Sequence, residues 1–156
     1  MADVEFKLEG LDSLLKKLES VSYDVKRKGG RSALRKAAQV VQKSIQTRAR
    51  ALDDPETGRS IADNVAIRWS SRLFKNTGDL GFRVGIQHGA VLPKGGADKQ
   101  KNAPTPHWRL LEFGTENMRA HPFVRPALAD NIAQVTNTFL SAYEKSIDRI
   151  LKKKSK

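Results

Sequence analysis

Pro122 and Pro126 bracket the sequence Pro-Phe-Val-Arg-Pro, and two prolines at that spacing fix the backbone between them. Each proline fixes φ near −65°, removes a backbone donor and biases the preceding residue toward extended angles. The element is therefore a stiff corner, with Pro126 suited to the first turn of a following helix. Upstream, Trp108, Leu110, Leu111 and Phe113 form an apolar run that periodicity leaves open between a strand and a short helix. Between the two stand Glu112-Phe113-Gly114-Thr115. Gly114 is expected to take positive φ, with Thr115 capping the turn. Phe113 and Phe123 are expected core anchors. Glu112 is the one carboxylate in the apolar run, where burial would raise its pKa unless a basic neighbour pairs with it.

The remaining elements are read from periodicity. Val4, Phe6 and Leu8 alternate with charged residues as a half-buried strand does, and Gly10 ends it. Leu11, Leu14, Leu15, Leu18, Val21 and Val25 recur at helical spacing, and Gly29-Gly30 should terminate that helix. A second helix, capped near Ser32, carries the stripe Leu34, Ala37, Ala38, Val41, Ile45, Ala49 and Leu52, with Arg35, Lys36, Gln39, Lys43 and Arg50 opposite. Residues 53–58 read as a turn. Val65, Ile67 and Trp69, then Leu80, Phe82, Val84 and Ile86, alternate as two strands, with Asn76-Thr77-Gly78-Asp79 as the hairpin signal between them. Residues 87–106 are rich in Gly, Pro, Lys and Gln and predict a long mobile loop; ordering of residues 89–106 on a neighbouring subunit is a hypothesis that the sequence leaves open. After Pro126, Ile132, Val135, Phe139, Tyr143, Ile147 and Ile150 mark one face of a last helix, followed by a frayed basic tail over 152–156. The expectation is a single α+β domain over residues 1–156: a small antiparallel sheet with N-terminal helices and a long C-terminal helix packed on it.

Composition narrows the function. A chain of 156 residues with 38% hydrophobic content can bury one modest core. The absence of cysteine excludes disulfides, thiolate metal sites and a cysteine nucleophile. The first residues carry acid and no apolar h-region, so no signal peptide is expected, and no run approaches the roughly 18 apolar residues of a membrane span. A net charge of +12 points to an anionic partner. The candidate contacts are Lys26, Arg27, Lys28, Arg31, Arg35 and Lys36 in one cluster and Lys152, Lys153 and Lys154 in another.

Catalytic arrangements are missing from the pattern. His88, His107 and His121 have no metal-ligand spacing, no Gly-rich phosphate loop precedes a helix, and no Gly-x-Ser-x-Gly elbow occurs. No cofactor and no enzymatic activity are expected. Few aromatics accompany the basic clusters, as base stacking would require. A sequence-independent nucleic-acid binder using the basic helix and lysine tail is the alternative reading.

Several segments together resemble one family. They are Gly10-Leu11-Asp12-Ser13-Leu14 after a short strand, the alanine-rich helix Leu34–Ala51, and the turn Pro55-Glu56-Thr57-Gly58-Arg59. Glu112-Phe113-Gly114-Thr115 and Pro122-Phe123-Val124-Arg125-Pro126-Ala127 complete the pattern. The chain resembles the siphophage head–tail morphogenesis family of tail-completion proteins, or minor tail proteins of the Z type. It departs from them at Ser60-Ile61 and at His107-Trp108-Arg109-Leu110. The resemblance implies a non-enzymatic virion protein of the neck or head-proximal tail, assembled in the bacterial host cytoplasm. It would complete the tail and support head–tail joining. Implied partners are a tail-terminator or tail-tube protein, a head-closure protein and further copies of itself. Sixfold tail tubes suggest a ring of six; DNA contact is allowed but not required, and no membrane is involved. The signature residues Trp108, Glu112, Phe113, Gly114, Thr115, Pro122, Phe123, Arg125 and Pro126 become the candidate interface, with Glu112 and Arg125 pairing within or between subunits.

Overall fold

The computed structural model describes residues 19, 21–53, 60–87 and 105–154. The expected strand at Val4–Leu8, most of the turn at 53–58 and the loop interior at 88–104 lie outside them. Residues 21–24 are helical and pass through a π-helical turn, Val25–Gly29, directly into helix α1, Gly30–Arg50. The helix break expected at Gly29-Gly30 is therefore corrected: both glycines have helical angles. Their role is close packing. A Cβ on Gly29 would stand 2.9 Å from Ser146 Oγ, and one on Gly30 2.9 Å from Leu80 Cδ1. The Ser32 cap falls for the same reason.

Along α1, Ala33, Ala37, Val41, Ile45 and Ala49 are buried at a spacing of four, while Arg35, Lys36, Gln39, Lys43 and Arg50 face outward. Small alanines on the inner stripe let a partner helix approach. That partner is α5, Ile132–Lys154. Gly29 packs against Ser146, and Ser44 Oγ accepts a 2.9 Å hydrogen bond from Asn131 Nδ2, so the two helices are antiparallel.

Strands β1, Val65–Trp69, and β2, Phe82–Ile86, pair antiparallel, as the alternation predicts. Val65↔Ile86, Ile67↔Val84 and Trp69↔Phe82 share one face, and Ala66↔Gly85 and Arg68↔Arg83 share the other. The tight hairpin is corrected: helix α2, Ser71–Thr77, joins the strands. Phe74 packs on Trp69 with ring centroids 5.6 Å apart, giving the helix an apolar anchor. Gly78, at φ 77°, ends that helix as a left-handed cap instead of turning a hairpin.

The apolar run from Trp108 resolves as helix α3, Trp108–Phe113. Helix α4, Val124–Ala129, follows the proline corner and stops before α5. Asn131 explains the stop. Its side chain donates to the Ala127 carbonyl at 2.8 Å, while its own N–H shifts to Leu128 O at 3.1 Å. The single last helix expected after Pro126 is thus two helices, and Ile132, expected on the inner face, is 59% exposed. The helix continues through Lys154, where a frayed tail over 152–156 is expected from sequence; Lys152 and Lys153 place cations at the favourable end of the helix dipole.

The core joins α1 to the corner. Val41, Ile45 and Ala49 meet Ile61, Ala62, Val65, Phe123 and Ala127. Asp53 braces the entry to β1: its carboxylate accepts the N–H of Ile61 at 2.7 Å and of Ala62 at 3.3 Å, and the Ser60 hydroxyl at 3.1 Å.

Candidate functional site

The signature residues converge on one side chain. Glu112 is 1% exposed and lies on the inner face of α3 with Trp108 and Leu111. Its Oε2 accepts the N–H of Phe123 at 2.7 Å and of Val124 at 2.9 Å. Its Oε1 accepts the N–H of Arg125 at 3.2 Å and the Arg125 Nε–H at 3.0 Å. Arg125 Nη2 also donates to the Glu112 carbonyl at 3.2 Å. One carboxylate thereby caps α4 from the preceding helix, where the helix dipole favours negative charge. The pair forms within one subunit.

Burial is the largest influence on the Glu112 carboxyl and pushes its pKa up; the hydrogen bonds from Val124, Phe123 and Arg125 together outweigh it, leaving it below its ordinary 4.5. The raised-pKa alternative is corrected. With both oxygens engaged by two donors each, Glu112 is an anchored anion with no open position for taking a substrate proton.

Gly114 links the two halves of the corner. At φ 76° it favours glycine, and a Cβ there would lie 2.8 Å from Ala120 N and 2.9 Å from Met118 O. The loop it opens is closed by Thr115 N–H to Met118 O at 2.9 Å and by His121 N–H to Leu111 O at 2.7 Å. Thr115 Oγ1 accepts the Asn117 N–H at 3.3 Å, the capping expected of it. Phe123 is 1% exposed, as expected of a core anchor. Phe113 is not one: it is 63% exposed and lies under the Arg125 guanidinium, 5.1 Å from the ring centroid. Helix periodicity is the cause, since turning Glu112 inward rotates its neighbour out. Pro122 is exposed and Pro126 half-buried in the first turn of α4.

The two basic clusters come to one end of the molecule, because α1 and α5 run antiparallel with Gly29 beside Ser146. Several cations there are already engaged. Arg27 lies 5.0 Å from the Phe74 ring centroid and 5.4 Å from that of Tyr23, and hydrogen-bonds the Tyr23 hydroxyl. Arg31 covers Trp69 at 4.3 Å, and Lys28 pairs with Asp24 at 3.1 Å. Lys26, Arg35 and Lys36 remain exposed on the helix surface. The stacking of Arg27 on Phe74 and of Arg31 on Trp69 was missed in sequence because those aromatics lie far along the chain. Among the described residues, no group of three or more His, Cys, Asp or Glu could hold a metal ion, and no helix is long and apolar enough to cross a membrane.

The described residues form an α+β fold whose corner is braced by the Glu112 carboxylate at the start of α4. The chain belongs to the family described as "Bacteriophage HK97-gp10, putative tail-component", whose model matches residues 12–114. The match takes in Glu112 and Gly114 and ends before Arg125. Comparison with curated proteins and with solved structures gives no match.

Proposed function

We propose that this protein is a non-enzymatic structural component of a phage tail that completes the head-proximal end and supports head–tail joining. It acts as a ring-like homo-oligomer, placed in the virion neck, between a tail-tube or tail-terminator protein and a head-closure protein. The observation that carries the assembly role is the outer face of the corner. Phe113 and Leu110 lie there exposed, with Arg125 laid across Phe113. Aromatic and arginine side chains are the types enriched where proteins meet, and the core has no use for these two apolar groups. Electron microscopy of particles made with and without the protein tests the reading. Tails that polymerise but fail to join heads are the expected result; normal virions without the protein would refute it. Light scattering of the purified protein tests the ring, and a monomer at assembly concentrations, alone and with tails, counts against it.

The convergence of the two basic clusters supports the second reading, sequence-independent binding of nucleic acid. Retention on DNA that falls steeply with salt would favour it, although the stacking of Arg27 and Arg31 on aromatics leaves fewer free cations for the task.

A further inference from the structure

Two features of the sheet's outer face cost the subunit stability and return nothing to it. The register sets Arg68 directly opposite Arg83, and like charges at that position repel. Both are exposed, and among the described residues neither has an ion pair, hydrogen bond or ring contact. Beside them, Gly85 faces Ala66. Among the described residues, a Cβ on Gly85 would meet nothing within 4 Å, so their packing does not require glycine, and glycine within a strand weakens it. The alternative use of such a glycine is close approach by another backbone.

Together the four residues, with Ile86 and Gln87, line a shallow hollow of about 470 Å³ with a small-residue floor and two guanidiniums at one end. We propose that this face docks an acidic protein surface, with carboxylates received by the Arg68–Arg83 pair. Two guanidinium forks offer bidentate bonds to carboxylates, stronger than neutral hydrogen bonds. A nucleic-acid strand fits less well. Among the described residues, no strand position on this face is aromatic for bases to stack on, and two arginines make a point of charge instead of a track along a phosphate backbone. The proposal rests on the tail-component reading only for where the acidic partner is found; the docking chemistry is testable without a virion.

The test uses the full chain and two probes, poly-L-glutamate and a random-sequence DNA duplex, followed by fluorescence anisotropy at fixed salt. Three variants are compared: Arg68→Gln/Arg83→Gln, Gly85→Val, and Lys43→Gln/Arg50→Gln as a control with the same charge loss elsewhere. The arginine double variant should bind polyglutamate about tenfold more weakly, the control less than about twofold, and both should bind DNA alike. Its melting temperature should hold or rise as the repulsion is removed, and Gly85→Val should melt higher yet bind polyglutamate more weakly. Equal losses in the two double variants would overturn the proposal, because charge alone would then explain binding. So would a selective loss of DNA binding by the arginine variant, a fall in its melting temperature, or wild-type polyglutamate binding by Gly85→Val. None of these results touches head–tail joining, so the tail reading stands or falls separately.

Discussion

Phe113 and Phe123 belong to one corner and are chemically identical, yet the first is 63% exposed and the second 1%. Hydrophobicity does not distinguish them; the carboxylate beside Phe113 does. The N–H groups of Phe123, Val124 and Arg125 open α4 and need an acceptor, and Glu112 reaches all three. Unmet buried donors cost about 1–3 kcal/mol each, so several of them outweigh the roughly 1.5–3 kcal/mol from burying one phenylalanine. Glu112 therefore turns in with Trp108 and Leu111, and Phe113 turns out. A polar requirement at a helix start has overridden hydrophobic sorting one residue away.

Truncating each ring in turn is the sharpest way to break this comparison. Phe123→Ala should cost about 3–5 kcal/mol by leaving a cavity where α1 meets α4, enough to unfold much of the population. Phe113→Ala should change stability by no more than about 0.5 kcal/mol. Urea unfolding followed by circular dichroism reads both. Similar losses would mean that Phe113 is packed in solution and that the polar account of the corner is wrong.

Glu112→Ala comes next, at about 3 kcal/mol, because it strips the acceptor from buried donors and from Arg125. The pH dependence carries its sign. The folded-state pKa is lowered below 4.5, so the fold favours the ionised form. That contribution is complete above the ordinary value and is lost as the pH falls through the lowered one. Urea midpoints of wild type and Glu112→Gln should differ by a constant amount near neutrality and converge below about pH 4.5. A gap that widens on acidification would show a raised pKa. Gly114→Ala should cost about 2 kcal/mol, from positive φ and from a Cβ driven against the Ala120 backbone. A loss no larger than that of Phe113→Ala would mean the loop yields easily and does not fix the corner.

The parts legible in sequence are those set by local pattern. The alternation at Val65–Trp69 and Phe82–Ile86 placed both strands, and the four-residue spacing from Ala37 to Ala49 placed the buried face of α1. What misled were residues with two uses. Gly29 and Gly30 resemble a helix stop, but the need for Ser146 and Leu80 to approach keeps them inside a continuous helix. Asn76-Thr77-Gly78 resembles a hairpin turn, but Phe74 packing on Trp69 favours a helix that Gly78 then caps. The corner was legible as a corner. Which way Glu112 pointed was not, because its donors come from residues up to thirteen positions later. Arg68 opposite Arg83 depended on register, which two strands of unknown connection leave open.

Arg125 should show a small stability effect and the clearest functional one. Its side chain is 64% exposed, and its bond to the nearly buried Glu112 is one of four that the carboxylate accepts. Arg125→Ala leaves the three backbone donors in place, so the loss should stay near 1 kcal/mol or below. What disappears is the guanidinium over Phe113, the surface on which the assembly reading rests. The variant should melt within a few degrees of wild type and fail to restore head–tail joining to particles that lack the protein. Arg125→Lys separates charge from shape: a lysine keeps the cation but cannot form the planar fork that spans the Glu112 carboxylate and carbonyl while covering the ring. If Lys restores joining in full, only charge matters at this position. If Arg125→Ala unfolds the subunit, the arginine is part of the cap and the outer face must be assigned to other residues.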